Sequence, residues 1–152
     1  MPEIAIVDAS VLIALEKIEL SDILCRIYSQ IILPEAVIKE FGTPTIGCYS
    51  VRKVKSPMVE LLVRDLNLGK GESEVIALAY ESGMKIIVDD LKARKVAETL
   101  DLNFTGTIGI LLKAERLKLI DSAYDKTKEL KFKGFYVADQ LLEDMSGFKM
   151  SV

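Results

Sequence analysis

The chain has 152 residues, half of them hydrophobic, with a formal net charge of -3 and no histidine. That length suits one domain able to bury about 70% of its unfolded surface. The missing imidazoles exclude Ser/His and Cys/His nucleophiles, His-ligated zinc and His acid–base chemistry. The mild acidity argues against a strongly basic nucleic-acid coat. No apolar run approaches the roughly 18 residues of a membrane span. The N-terminus shows no basic region followed by a long apolar one, so secretion is not expected and the expected location is cytoplasmic. Cys25 and Cys48 stand far apart and are expected to be buried free thiols.

In chain order, short β-branched runs alternate with helical periodicity. Glu3 to Val7 reads as a buried strand, followed by helices over Val11 to Lys17 and Leu20 to Ser29. Gln30 to Leu33 is a second strand, and Pro34 suits the first turn of a helix reaching Phe41. Beyond the loop Gly42 to Gly47, Tyr49 to Lys55 alternates as a short extended piece. Met58, Leu61, Leu62 and Leu66 fall at helical spacing, predicting a helix over Pro57 to Asp65. Gly69 and Gly71 break the chain before a strong helix, Glu72 to Ser82, which Gly83 ends. Strand Lys85 to Val88 leads into helix Leu91 to Leu100, and strand Asn103 to Thr105 into helix Thr107 to Arg116. Two more helical stretches follow near Ser122 to Lys131 and Val137 to Met145. Strands separated by helices imply βαβ units, a parallel sheet and right-handed crossovers. One domain over residues 1–152 is expected, with a core near 3–119 and a helical extension near 121–147.

Five acidic residues stand near the expected rim of the sheet, where ligands of parallel sheets gather. Asp8 follows the apolar run Ile4 to Val7 and either caps a helix, as Ser10 does equally well, or points across the sheet edge. Glu40 has Val37 and Phe41 beside it and so flanks the packed face, although a glutamate late in a helix is ordinarily solvated. Glu72 and Glu74 open a helix, where the macrodipole favours acids in any case. A stripe through Val75, Ile76 and Ala79 places Glu72 inward and Glu74 elsewhere. Asp89 and Asp90 close an apolar strand together; capping explains one of them and leaves the other to face the site, in either order. Carboxylates beside a core need compensation, which a divalent cation supplies.

Taken together, Asp8-Ala9-Ser10, Pro34…Val37…Glu40, Gly71-Glu72…Ile76-Ala77-Leu78-Ala79 and Val88-Asp89-Asp90…Ala93-Arg94 resemble the PIN domain, over about Ile4 to Leu119. The stretch from Thr105 to Ala114 resembles an archaeal and bacterial subgroup close to VapC-like toxins. The resemblance implies an α/β fold, a three-layer α/β/α sandwich with a central parallel sheet. It implies a Mg²⁺- or Mn²⁺-dependent nuclease acting mainly on RNA, often a homodimer and often inhibited by an antitoxin protein. On this likeness Asp8, Glu40, Glu72 and Asp90 are the candidate catalytic residues. Asp8, Glu72, Asp89 and Asp90 are the candidate metal ligands. The third acidic position is commonly Asp in the family and is Glu72 here, a longer side chain that would shift the ion.

Substrate binding asks for donors and cations, and the candidates are Ser10, Lys70, Lys92 and Arg94. Gly69-Lys70-Gly71 lacks the spacing of a phosphate-binding P-loop. Thr105 and Thr107 are in range to contact phosphate, or Thr107 caps its helix. Lys126, Lys128, Lys131 and Lys133 read as a solvated basic face, and Phe132, Phe135, Tyr136 and Phe148 as exposed apolar residues fit for a dimer face. Phosphatases built on Asp-x-Asp are disfavoured because Ser10 stands at the second position, and receiver domains because the adjacent acid pair comes late. The non-enzymatic alternative is an inactive module of the same fold that binds RNA or protein.

Overall fold

The computed structural model of the protein describes the backbone of residues 3–150 and the side chains of residues 3–146. At its centre is a five-stranded, all-parallel sheet in the order β3-β2-β1-β4-β5. From β1 (Ile4–Val7), the chain lays β2 (Gln30–Pro34) and β3 (Tyr49–Arg52) to one side, then β4 (Lys85–Ile87) and β5 (Phe104–Thr105) to the other. The intervening helices are α1 (Ala9–Lys17), α2 (Ile23–Ile27), α3 (Glu35–Phe41), α4 (Pro57–Asp65), α5 (Lys70–Ser82), α6 (Leu91–Thr99) and α7 (Thr107–Arg116). They cover the sheet to give a three-layer α/β/α sandwich, which α8 (Ala123–Phe132) and α9 (Asp139–Met150) extend.

A sheet covered on both faces asks for continuous apolar strands rather than alternating ones. Ala5, Ile6 and Val7, Ile31 to Leu33, and Ile86 with Ile87 are accordingly all buried. Helix α5 packs against α3, α4, α6 and three strands, and Val75 to Ala79 are buried without interruption. It ends where Gly83 turns left-handed (φ 75°) and returns its N–H to the Ala79 carbonyl. The reversal in strand order falls between β1 and β4, the crevice where open α/β sheets bind ligands. There the Asp8 amide donates to the Ile87 carbonyl at 3.0 Å, locking the two strand ends side by side.

The predicted elements are all present, with shifted ends. Residues 20–22 form a turn instead of opening a helix, because Glu19 adopts φ 59° and Leu20 returns its amide to Leu15. Pro34 ends β2 and stands at the N-cap of α3 rather than inside its first turn. The expectation of free thiols is overturned: Cys25 and Cys48 form a disulfide with Cα atoms 5.6 Å apart. Their sequence distance misleads because α2 feeds straight into β2, and β2 pairs with β3, at whose entry the Cys48 carbonyl accepts from Ile31. Reducing this bridge across a separation of 23 residues is expected to cost about 3 kcal/mol, lowering the melting temperature by roughly 6–12 °C. Melts with and without reductant, beside a Cys25→Ser/Cys48→Ser variant, check this; identical melts would refute it.

Lys128, Lys131 and Lys133 of the extension are exposed, as expected of a solvated face, while two of its lysines also attach it to the core. Lys126 and Lys133 donate to the carbonyls of Ile18 and Lys17, at the end of α1 where the helix dipole favours cations. Lys131 pairs with Asp139, and Lys128 lies over the Tyr124 ring. Phe132 and Tyr136 are exposed and Phe135 is half-buried, whereas the Phe148 side chain lies outside the described residues. Among the described residues no helix is long and apolar enough to cross a membrane.

Candidate active site

Asp8 sits at the N-cap position of α1, yet its side chain makes no capping bond. It is only 4% exposed; Oδ2 accepts from the Ser10 hydroxyl at 3.0 Å, and Oδ1 has no partner at all. Burial pushes its carboxyl up to about 6, against the pull of the Ser10 hydroxyl and the adjacent Ala9 amide and with the charges of Glu40 and Asp89 adding to the rise. A bare, buried carboxylate oxygen costs free energy unless a cation or donor meets it.

Gly71, in the first turn of α5, explains how Glu40 reaches Asp8. A Cβ on Gly71 would lie 3.1 Å from Glu40 Oε2 and 3.7 Å from Asp8 Oδ1, so both carboxylates close over a position that holds no side chain. Glu72 follows, and its carboxyl rises to about 7, first through burial and then through the charges of Asp90, Asp8 and Glu40. The Asp90 carboxyl beside it adds to that rise as a hydrogen-bond partner as well as a charge. Two carboxyls in contact either share a proton or hold a cation between them.

The Asp89-Asp90 pair divides its work differently from either sequence alternative: both cap. Asp90 Oδ2 accepts from the Ala93 amide at the start of α6, at 2.9 Å, while the residue stays exposed toward Glu72. Asp89 reaches across to α7, taking the Thr107 amide at 2.7 Å and the Thr107 hydroxyl at 2.5 Å. Both oxygens of Asp89, an expected metal ligand, thus accept bonds that hold α7, while the residue still lines the acidic cavity. Thr107 is buried in this clamp and is no phosphate contact. Gly106 beside it must be glycine, because a Cβ would stand 2.7 Å from Asp89 Oδ1 and 3.3 Å from the Val88 carbonyl.

Asp8, Ser10, Glu40, Glu72, Asp89, Asp90 and Arg94 line one cavity of about 530 Å³. The Arg94 guanidinium is steadied over the Phe104 ring at 5.2 Å. A second cavity of about 640 Å³ shares Glu40 and Glu72 and adds Lys39, Lys53 and Lys70. Lys92, expected to bind substrate, lines neither cavity and lies exposed on α6. It follows Asp90 by two residues, and helical geometry carries it away.

Sequence reasoning missed Lys39, Lys53 and the role of Glu74. Glu74 is buried, and its Oε1 accepts from the Ala36 amide at 3.0 Å, satisfying the first turn of α3 beyond Pro34. Its signal was available: Gly71, Glu74, Val75 and Leu78 are spaced as one buried stripe, all facing inward. Glu72 lies off that stripe and is half-buried at the cavity rim.

Among the described residues, no three acidic or thiol side chains stand in an arrangement that holds a metal ion as they are. The donor chemistry nevertheless fits a hard divalent cation: oxygen-only groups, an orphaned Asp8 Oδ1, and a Glu72 carboxyl pushed up by burial and by the charges of Asp90 and Asp8, which a cation would offset. The sequence matches the family described as DUF3368, PIN domain, over residues 4–146. No curated protein matches it. PIN domains are in general nucleases and generally use divalent metals. With its parallel sheet, its acids gathered at the β1–β4 crevice and a match over nearly its whole length, the chain belongs to the PIN-domain family.

Proposed function

We propose that the protein is an endoribonuclease dependent on Mg²⁺ or Mn²⁺. The observation that carries this is Asp8 Oδ1, buried without a partner at the head of β1 amid Glu40, Glu72 and Asp90. Asp8, Glu72 and Asp90 would hold the ion, and Asp89 would keep α7 in place. When bound, the ion supplies positive charge against the phosphate and acidifies a water. Ser10 holds Oδ2 of Asp8, which leaves Oδ1 without a partner on the side of Gly71 and Glu40. Glu40 orients the attacking water as acceptor. That water's oxygen bonds to phosphorus as it gives up a proton to solvent, and the bond to the departing ribose oxygen breaks as that oxygen takes a proton from solvent. Lys70 and Arg94, with Lys39 and Lys53, offset the charge of the strand's phosphates. By the same resemblance the protein acts in the cytoplasm as a homodimeric toxin of the VapC-like subgroup, restrained by an antitoxin. Exposed Phe132, which lines neither cavity, is the apolar surface that supports a protein partner.

The test is cleavage of RNA by the purified chain with Mn²⁺, beside Glu72→Gln and Asp90→Asn. Each variant is expected to lose about 100-fold or more, since each removes charge-stabilising oxygen from the reacting centre. Equal cleavage by all three proteins ends the proposal. RNA binding without cleavage and without any Mn²⁺-dependent rise in melting temperature would identify the inactive binding module instead.

A further inference from the structure

The two cavities that meet at Glu40 and Glu72 are chemically unlike. One carries Lys39, Lys53 and Lys70, exposed side chains that form no ion pair among the described residues. The other runs from the acids onto an apolar wall of Leu91, Ile108, Phe135, Tyr136, Val137 and Leu141. Leu91 is 76% exposed and Tyr136 82% exposed, a poor use of apolar surface unless something lies on them.

The wall is also built, not merely left over. Phe135, Tyr136 and Val137 come from the loop between α8 and α9, where Gly134 turns at φ 97° and Phe135 returns its amide to Leu130 at 2.9 Å. Val137 is buried beneath and pins the loop, and Leu130 is wholly buried. Tyr136 is thereby presented from a fixed backbone at the mouth of the acidic cavity. Its ring is flat, amphipathic and carries few rotatable bonds, which suits stacking at small entropic cost.

A polynucleotide divides the same way, with charged phosphates along one edge and flat bases along the other. We infer that the Phe135-Tyr136 loop is a base subsite: it stacks one unpaired nucleobase next to the scissile phosphate, while the lysine cavity holds phosphates on the far side of that bond. This rests on the nuclease reading above and adds which part of the chain selects the substrate. A base locked in a duplex cannot lie flat on Tyr136, so paired RNA is a poor substrate at this position.

The experiment uses the full chain with Mn²⁺ and a short, unstructured RNA, read by steady-state cleavage and by fluorescence anisotropy. Tyr136→Ala is expected to raise KM about tenfold with kcat within twofold, the loss of one stacked base. Tyr136→Phe restores KM, and all forms keep the same Mn²⁺-dependent rise in melting temperature. An abasic site scanned along the RNA should raise KM at one position for the native protein and for Tyr136→Phe, but add nothing in Tyr136→Ala. Cleavage that is indifferent to Tyr136, or abasic effects equal in both proteins, overturns the subsite and leaves the nuclease reading standing. Tyr136-dependent RNA binding by a native protein that never cleaves overturns the nuclease reading and leaves the stacking contact. A Tyr136→Ala change confined to self-association, measured by sedimentation, assigns the ring to a protein contact and overturns the proposal.

Discussion

Asp8→Asn is expected to abolish RNA cleavage and, in the same molecule, to raise the melting temperature of the metal-free protein. Asp8 is nearly inaccessible, and its carboxyl is lifted from 3.8 to about 6 chiefly by burial. A shift of that size corresponds to about 3 kcal/mol held against the fold once the group ionises. Asn has the same shape and no charge, and its amide meets the neighbouring Glu40 as an acceptor. Most of the penalty therefore disappears, for a gain of about 2 kcal/mol, or roughly 4–8 °C. Catalysis moves the other way, because the oxygen that costs stability is the one proposed to hold the cation. A loss of at least about a thousandfold is expected, the equivalent of about 4 kcal/mol. Parallel melts in EDTA and in Mn²⁺ decide the matter. A variant that melts lower than the native chain in EDTA, or that still gains stability from Mn²⁺, contradicts this account.

The second large effect is a stability that falls as pH rises. Asp8 and Glu72 ionise near 3.8 and 4.5 in an unfolded chain but near 6 and 7 in the folded protein. Between about pH 4 and 7 the folded state retains protons that the unfolded state has released, so the slope of stability with pH is negative. Below that window both states are protonated and the contribution is fully present; above it both are ionised and it is gone. The slope is at most about 1.4 kcal/mol per pH unit for each group, and less for Glu72, which is only half-buried. Glu3, Glu129 and Asp139 shift downward through lysine partners and act in the opposite sense, but they lie at the surface, where such pairs contribute little. Saturating Mn²⁺ should flatten the profile, because a bound cation holds the carboxylates ionised. Melts from pH 4.5 to 8 in EDTA test the sign; stability that climbs across that range would overturn it.

How much of this was readable in the chain depends on how local each signal is. The strands were legible because a doubly covered sheet needs unbroken runs such as Ile31-Ile32-Leu33, and α4 and α7 begin at Pro57 and Thr107 as expected. Asp8, Asp89 and Asp90 were legible as a cluster because parallel strands finish on one edge. Glu74 was misassigned, since α5 is buried almost all round and the stripe through Gly71, Val75 and Leu78 that carries it competes with the one through Val75, Ile76 and Ala79. Lys39 and Lys53 were hidden because only the β2–β3 crossover brings α3 and the end of β3 beside Gly69-Lys70-Gly71. The disulfide depends on the same register. Long-range pairing, and not propensity, is what the one-dimensional reading could not supply.

The clasp of Lys126 and Lys133 on the last carbonyls of α1 has a bearing on how the molecule tolerates change. Helix α1 begins at Asp8, so one appendage grips the tail of the rod whose head carries the buried acid, and its following loop borders that head. A chain trimmed after residue 121 would thus be disturbed at both tips of that rod together. Substitutions that release the two lysines are thus expected to be felt at the acidic cavity, although the segment lies outside the sheet and contributes no acid.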